Sequence, residues 1–293
     1  MNDVFTSGET GGAVSARVDR LARTRERILV FIPMYRCAPQ IPRVIDHFAN
    51  VPGLPADLAV LCVDNQSPDD TLAAAEAALD ASPVAEKYLL RNEQNYGLGG
   101  SHKVAIEFAR THGFDYLVVL HGDDQGSIAD LRPLLAAGEH RKWDALLGAR
   151  FMRGATLQGY SALRTAANHV FNWIFSVIAG HMFYDLGSGL NMFRVGMFDD
   201  GFHLKYADNL TFNYYLVFGL ADHGHAFRFF PINWREDDQV SNAKLFSQGL
   251  RMLKLLRQRA WSQRKFQTGE HRDVPHAAYP AKLIRSWQAK QPA

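Results

Sequence analysis

The stretch "FDYLVVLHGDDQGS", residues 114–127, decides how the rest of the chain is read. Four apolar residues, Leu117 to Leu120, run directly into His121, Gly122, Asp123, Asp124 and Gln125. A short, unbroken apolar run that ends in a polar loop is the pattern of a strand buried on both faces, and such strands belong to parallel sheets covered by helices. Ligands bind beyond the carboxyl ends of strands in these sheets. Residues 121–125 therefore lie where chemistry is expected.

Working outward, the same pattern recurs. "RILVFIPMY" (27–35), "LAVLCVDN" (58–65), "EKYLLRNE" (86–93) and "WDALLGARF" (143–151) read as strands. "PQIPRVIDHFANV" (39–51), "DTLAAAEAALDA" (70–81) and "GSHKVAIEFARTHG" (100–113) read as helices between them. Strands alternating with helices of ten or so residues predict βαβ units and an α/β fold with a mostly parallel sheet flanked by helices. The second half is less regular: a helix is expected over 161–180, strands within "GLNMFRVGMF" and "GHAFRFFPINW", and a basic helix over 243–266. The tail from about 267 has the composition of a loop.

A chain of 293 residues with 47% hydrophobic content can bury a large core. Its formal charge of +2 conceals an asymmetry. Residues 241–293 carry eleven Lys and Arg against two acids, leaving the first 240 residues net acidic. The basic character belongs to the C-terminal extension and suits an anionic surface. No series of stacking aromatics accompanies these charges, so nucleic acid is not expected as a partner. Two cysteines, Cys37 and Cys62, exclude a disulfide framework and fit a reducing, cytoplasmic compartment. Residues 1–26 lack the apolar segment of a secretory signal and read as a polar lead-in. The longest apolar run, "VFNWIFSVIAGHMFY" (170–184), falls short of the roughly 20 residues that cross a bilayer and is expected to be a core helix.

Three loops carry the polar groups. "VDNQSPDDT" (63–71) puts Asp64 at a strand end and offers Asp69 or Asp70 as a cap for the following helix. An acid at the position of Asp64 can accept hydrogen bonds from a ribose or a base edge. "NEQNYGLGGSHKVA" (92–105) is like a glycine-rich phosphate loop opening a helix, with Gly97, Gly99 and Gly100, but it lacks a full dinucleotide fingerprint. In the 121–125 loop, the acidic pair Asp123 and Asp124, with Gln125 and His121 as neutral ligands close by, suits Mg²⁺ or Mn²⁺ shared with a diphosphate, because these ions keep several non-protein ligands.

The ordered series "FIPMY", "VDNQSPDDT", "NYGLGGSHKVAIEFA", "LHGDDQ", "GARFMRG" and "DLGSGLNMF" resembles glycosyltransferase family 2 over residues 27 to about 245, and most closely its polyprenyl-phosphate (dolichyl-phosphate sugar synthase-like) branch. The resemblance implies a GT-A, Rossmann-like domain over 27–240, followed by the basic helical extension 241–293. It implies an inverting, metal-dependent transfer from a nucleoside-diphosphate sugar, with uridine or guanosine as the base. The acceptor it implies is lipid-linked, a polyprenyl phosphate or a membrane glycolipid, met at the cytoplasmic membrane face. The other readings are transfer to a soluble or protein-bound glycan, and a nucleotide-sugar-binding subunit without turnover. By the same resemblance Pro33, Tyr35 and Asp64 line the nucleoside pocket, Gly97, Gly99 and Gly100 lie near the donor, and Arg235 follows as a further donor contact. Asp123, Gln125 and His121 are the implied metal ligands, His121 standing where the family has an acid. Arg150 and Arg164 meet phosphates, and Asp185 opens the segment beside sugar and acceptor. Arg36 and Cys37 replace the family's Asn-Glu, and "WREDDQVSNAK" (234–244) departs from its later basic motif.

An ionised phosphate acceptor needs no general base, whereas an alcohol does. Asp124, Asp185 and the acids Glu236, Asp237 and Asp238 are the candidates.

Overall fold

The computed structural model describes residues 4–5, 26–55, 57–236 and 245–288. Strands β2 (Ile28–Met34), β3 (Ala59–Asp64), β4 (Glu86–Asn92) and β5 (Tyr116–Leu120) form the parallel centre of a nine-stranded sheet, with β2 paired to β3 and β5 and β3 to β4. Beyond β5 the antiparallel β8 (Leu190–Arg194) joins β6 (Ala145–Ala149), which pairs in parallel with β9 (Phe227–Pro231). The α/β fold with a mostly parallel, helix-covered sheet is thus present as expected. At the other edge β11 (Ala281–Trp287) runs antiparallel to β4, and β1 (Val4–Phe5) to β11. A separate two-stranded sheet pairs β7 (Thr156–Gln158) with β10 (Asn233–Arg235).

The central strands are buried on both faces, which is why their sequences are continuously apolar rather than alternating. Leu29, Phe31, Leu61, Val63, Leu117 and Val119 face one core; Val30, Ile32, Val60, Cys62, Val118 and Leu120 face the other. Each such side chain contributes about 1.5–3 kcal/mol by leaving water. The connecting helices are α1 (Ile41–Asn50), α2 (Thr71–Ala81) and α3 (Gly97–Thr111). Pro42 supports the first turn of α1, where a missing N–H costs nothing. Asp69 takes the hydroxyl of Thr71 at 2.7 Å at the start of α2. After α4 (Arg132–Ala136), the chain builds α5 (Ala162–Ala179), α6 (Phe212–Asp222), α7 (Leu245–Trp261) and α8 (Gln263–Thr268).

One expectation fails here. The apolar run 170–184 is not a core helix: α5 buries Asn172, Phe175 and Ser176 but exposes Leu163, Val170, Trp173 and Val177. Their spacing of seven, three and four residues puts them on one helical face. Among the described residues no helix is long and apolar enough to cross a membrane. The tail also supplies a strand, β11, where its composition suggested a loop.

Candidate active site

A cleft of about 800 Å³ opens at the carboxyl edge of the parallel strands, lined among others by Tyr35, Asn65, Asp123, Arg150, Arg164 and Glu236. The backbone at its base is unusual at three places. Arg36, Gln66 and Asp124, which follow β2, β3 and β5, all hold φ between 54° and 59°. Left-handed backbone at non-glycine residues costs about 1–3 kcal/mol each and persists where the surroundings enforce it. At these strand ends it turns the chain sharply, so that the cleft is lined by the residues beside each turn, Cys37, Asn65, Asp123 and Gln125.

Asp123 leaves β5 into the cleft, and its Oδ1 accepts the N–H of Gln125 at 3.3 Å. Burial raises its pKa to about 6, so the carboxylate is held in a place that favours an added positive charge. The Nδ1 of His121 lies 3.9 Å from Asp123 Oδ2, and its buried Nε2 has no hydrogen-bond partner. Burial, with Arg150 nearby, lowers the His121 pKa to about 4, which keeps the imidazole neutral and able to donate a lone pair. Gln125 also lines the cleft. No group of three or more His, Cys, Asp or Glu side chains stands at metal-binding spacing among the described residues. A site of one carboxylate and one neutral imidazole nevertheless suits an ion that takes its remaining ligands from a diphosphate and water.

Both arginines expected from the sequence reach the cleft, each fastened to a carboxylate. Arg150, just past β6, meets Asp185 through Nε at 2.7 Å and through its terminal amine at 2.9 Å. Burial would lower its pKa, but the Asp185 carboxylate more than offsets this and the group stays charged. Arg164, in the first turn of α5, meets Glu236 at 2.6 and 3.1 Å. Ser161 caps that helix by accepting the N–H of Arg164. Pro33, Tyr35 and Gly97 line the cleft.

Other expected residues stand behind the wall rather than in it. Asp124 is buried, accepts Arg43 Nε at 2.7 Å and pairs with Arg235, so it does not reach the cleft as a base and Arg235 does not reach it as a donor contact. The reason is the left-handed turn at Asp124, which sends consecutive carboxylates to opposite sides. Asp185 accepts the Arg150 guanidinium, the Arg150 N–H and the Gly187 N–H, and has no face toward the cleft. Asp64 is fully buried, accepting the Ser67 N–H at 3.1 Å, with Arg91 Nε at 3.3 Å. Its pKa is raised by burial, against the pull of Ser67. Gly99 and Gly100 serve packing: both amides donate to the Asp208 carbonyl, at 2.7 and 3.2 Å. A Cβ on Gly99 would collide with the Ala207 carbonyl oxygen. Asp237 and Asp238 lie outside the described residues.

Sequence reasoning missed Asn65 and Asn95. Asn65 Nδ2 donates to Asn95 Oδ1 at 2.9 Å, while Asn65 Oδ1 takes Asn92 Nδ2 and the Tyr96 N–H, both at 2.9 Å. This amide chain joins the end of β3 to the turn before α3 and presents two asparagines to the cleft. Their place one residue past an acid or in a turn was visible, but a strand buried on both faces gives no parity from which to choose Asn65 over Asp64.

Residues 29–201 match the sequence model of the family described as Glycosyl transferase family 2. No curated protein matches the chain. Solved structures similar in fold include Mycobacterium tuberculosis glucosyl-3-phosphoglycerate synthase in complex with uridine diphosphate, at 16% identity and a TM-score of 0.53, covering 85% of this chain and 84% of that one. A Pyrobaculum calidifontis mannosyltransferase in complex with GDP-Man and Mn²⁺ is 14% identical, with a TM-score of 0.54 and coverage of 88% and 72%. S. aureus TarS 1-349 in complex with UDP-GlcNAc is 16% identical, with a TM-score of 0.52; the chain matches 65% of its length, over 78% of its own.

Proposed function

Because the chain belongs to glycosyltransferase family 2, we propose that it moves a sugar, with inversion, from a nucleoside-diphosphate sugar in the cleft to a lipid-linked acceptor at a membrane face. The donor half of this reading rests on the charge of the cleft. Its lining carries two arginines and two carboxylates, and each arginine is held two-toothed by a carboxylate. A diphosphate therefore finds no surplus positive charge among the described lining residues, and a divalent cation at Asp123 would supply it. Mg²⁺ or Mn²⁺ held by Asp123 and His121, with Gln125 beside them, would offset the charge that develops on the departing diphosphate. UDP and GDP-Man in the two structures named above support a nucleotide-sugar donor of either base.

The residues of the chain do the rest. Tyr35, Asn65 and Asn95 offer a ring and amide groups to the nucleoside, and Arg150 and Arg164 stabilise phosphate oxygens. Asp185 keeps the Arg150 guanidinium fixed before substrate arrives, so little ordering is needed on binding.

The lipid half rests on α5. Arg164 stands at the cleft mouth, and from it runs the exposed stripe Leu163, Val170, Trp173 and Val177, with Trp173 65% exposed. Beside α5 lies α7, whose 17 residues include no acid and carry Arg251, Lys254 and Arg257. An apolar stripe bordered by cations suits the anionic face of a bilayer, each cation contributing about 1 kcal/mol.

The test is nucleoside diphosphate release from UDP-, GDP- and dTDP-sugars with Mg²⁺, with Mn²⁺ and with EDTA, on the wild type and Asp123→Ala. The expected result is release from one donor that needs the ion and is lost in the variant. Release that ignores both EDTA and Asp123→Ala would overturn the donor half.

A further inference from the structure

We infer that Glu236 is the general base of the transfer, and that the acceptor accordingly presents a hydroxyl rather than a phosphate. This rests on the donor reading above and deepens its acceptor side.

Among the described residues, Asp123 and Glu236 are the two acids that line the cleft. The neighbouring acids do not line the cleft and are buried against partners in its wall: Asp124 against Arg43 and Arg235, Asp185 against Arg150, Asp64 against Ser67 and Arg91. Asp208 is held by Lys103 Nζ at 2.7 Å and by the Tyr279 hydroxyl at 2.8 Å. Asp123 follows β5 on the side of the implied ion, whereas Glu236 follows β10 and faces the first turn of α5, at the mouth. Its backbone is fixed. The Glu236 N–H donates to Gln158 O at 3.1 Å, and a Cβ on Gly159 would lie 2.6 Å from the Glu236 carbonyl oxygen, so that position admits only glycine without a shift.

The chemistry of the pair separates the two acceptor classes. A phosphate entering the cleft would compete with the donor diphosphate for Arg150 and Arg164, the two arginines of the lining, each of which is also paired to a carboxylate. It would also approach the Glu236 carboxylate and be repelled. A hydroxyl meets no such opposition and must lose its proton as it attacks. In that step the acceptor oxygen forms its bond to the anomeric carbon while its proton passes to a Glu236 oxygen. The bond from the anomeric carbon to the donor phosphate oxygen breaks, and its electron pair leaves with the nucleoside diphosphate. Arg164 holds the Glu236 carboxylate oriented until then, through hydrogen bonds of 2.6 and 3.1 Å.

The experiment uses the full chain with its active donor, and water as the smallest hydroxyl acceptor. Donor hydrolysis and sugar transfer are followed on the wild type, Glu236→Gln, Glu236→Asp and Glu236→Ala, in vesicles holding either a dodecyl glucoside or a polyprenyl phosphate. Nucleoside diphosphate affinity is measured in parallel. The expected result is hydrolysis reduced on the order of 10²-fold or more in Glu236→Gln, with affinity unchanged. Glu236→Asp should recover part of the rate, and added formate part of the rate of Glu236→Ala. Transfer should favour the glucoside. Hydrolysis equal in Glu236→Gln and wild type, or transfer to polyprenyl phosphate that survives Glu236→Gln, overturns the inference. A wild type that binds no nucleoside diphosphate instead sinks the donor reading beneath it.

Discussion

Replacing Gly99 by alanine tests whether the glycine-rich turn exists for a phosphate or for packing. The Cβ would collide with the Ala207 carbonyl oxygen and lie 2.7 Å from Phe212 Cβ, where ordinary contact begins at 3.4 Å. The 207–212 segment must therefore retreat by about 1 Å, and it cannot do so freely, because the Asp208 carbonyl also accepts the Gly99 and Gly100 amides. Overpacking costs about 1–3 kcal/mol, and weakening those two hydrogen bonds adds roughly 1 kcal/mol. Alanine recovers about 1 kcal/mol of helix propensity within α3. The net is a loss of about 2 kcal/mol, or roughly 4 °C in Tm by thermal unfolding. Asn209 and Leu210, which line the cleft, move with the segment, so nucleoside diphosphate affinity should fall together with Tm. Lost affinity at an unchanged or raised Tm would refute the packing argument and restore a direct approach of Gly99 to the ligand.

Two further outcomes follow from ion pairs and exposed surface. Arg150→Ala leaves the Asp185 carboxylate buried without its cation, which should cost about 3–5 kcal/mol in urea unfolding. Adding Asp185→Asn to that variant should return part of the loss, and a double variant no more stable than the single one would show that the pair is not what holds the segment. Trp173→Glu with Val177→Glu should leave Tm unchanged, since both side chains are exposed, and should abolish flotation with vesicles containing anionic lipid. Flotation that persists would move the membrane contact away from α5.

The centre of the sheet was legible because strands buried on both faces are written as short uninterrupted apolar runs, repeated at regular intervals between amphipathic helices. The same property hid α6. It is buried on nearly all sides, so "FNYYLVFGLAD" has no polar face to give it a helical period. In β11, "AKLIRSW" carries two cations among few apolar residues, as an edge strand does, and its pairing with β4 depends on distant residues that local pattern does not encode. For α5 the apolar content was legible but not what it faces: Trp173 and Phe175 are both large and apolar, and only the packed structure tells the exposed one from the buried one.

The acids divide in the same way. In sequence, Asp64, Asp123, Asp124, Asp185 and Glu236 are equivalent carboxylates in or beside loops. Folding sorts them by what lies opposite. Three meet a guanidinium from another part of the chain and disappear into the wall, where an ionised group is tolerated only with such a partner. Asp123 has no cation in hydrogen-bond reach among the described residues, and burial raises its pKa, so an added positive charge is favoured there. Glu236 has its cation, but with both side chains open to the cleft, so the pair is accessible to whatever enters. The same residue type thus builds the wall, waits for an ion, and meets the acceptor, and the difference lies in the partner each carboxylate finds.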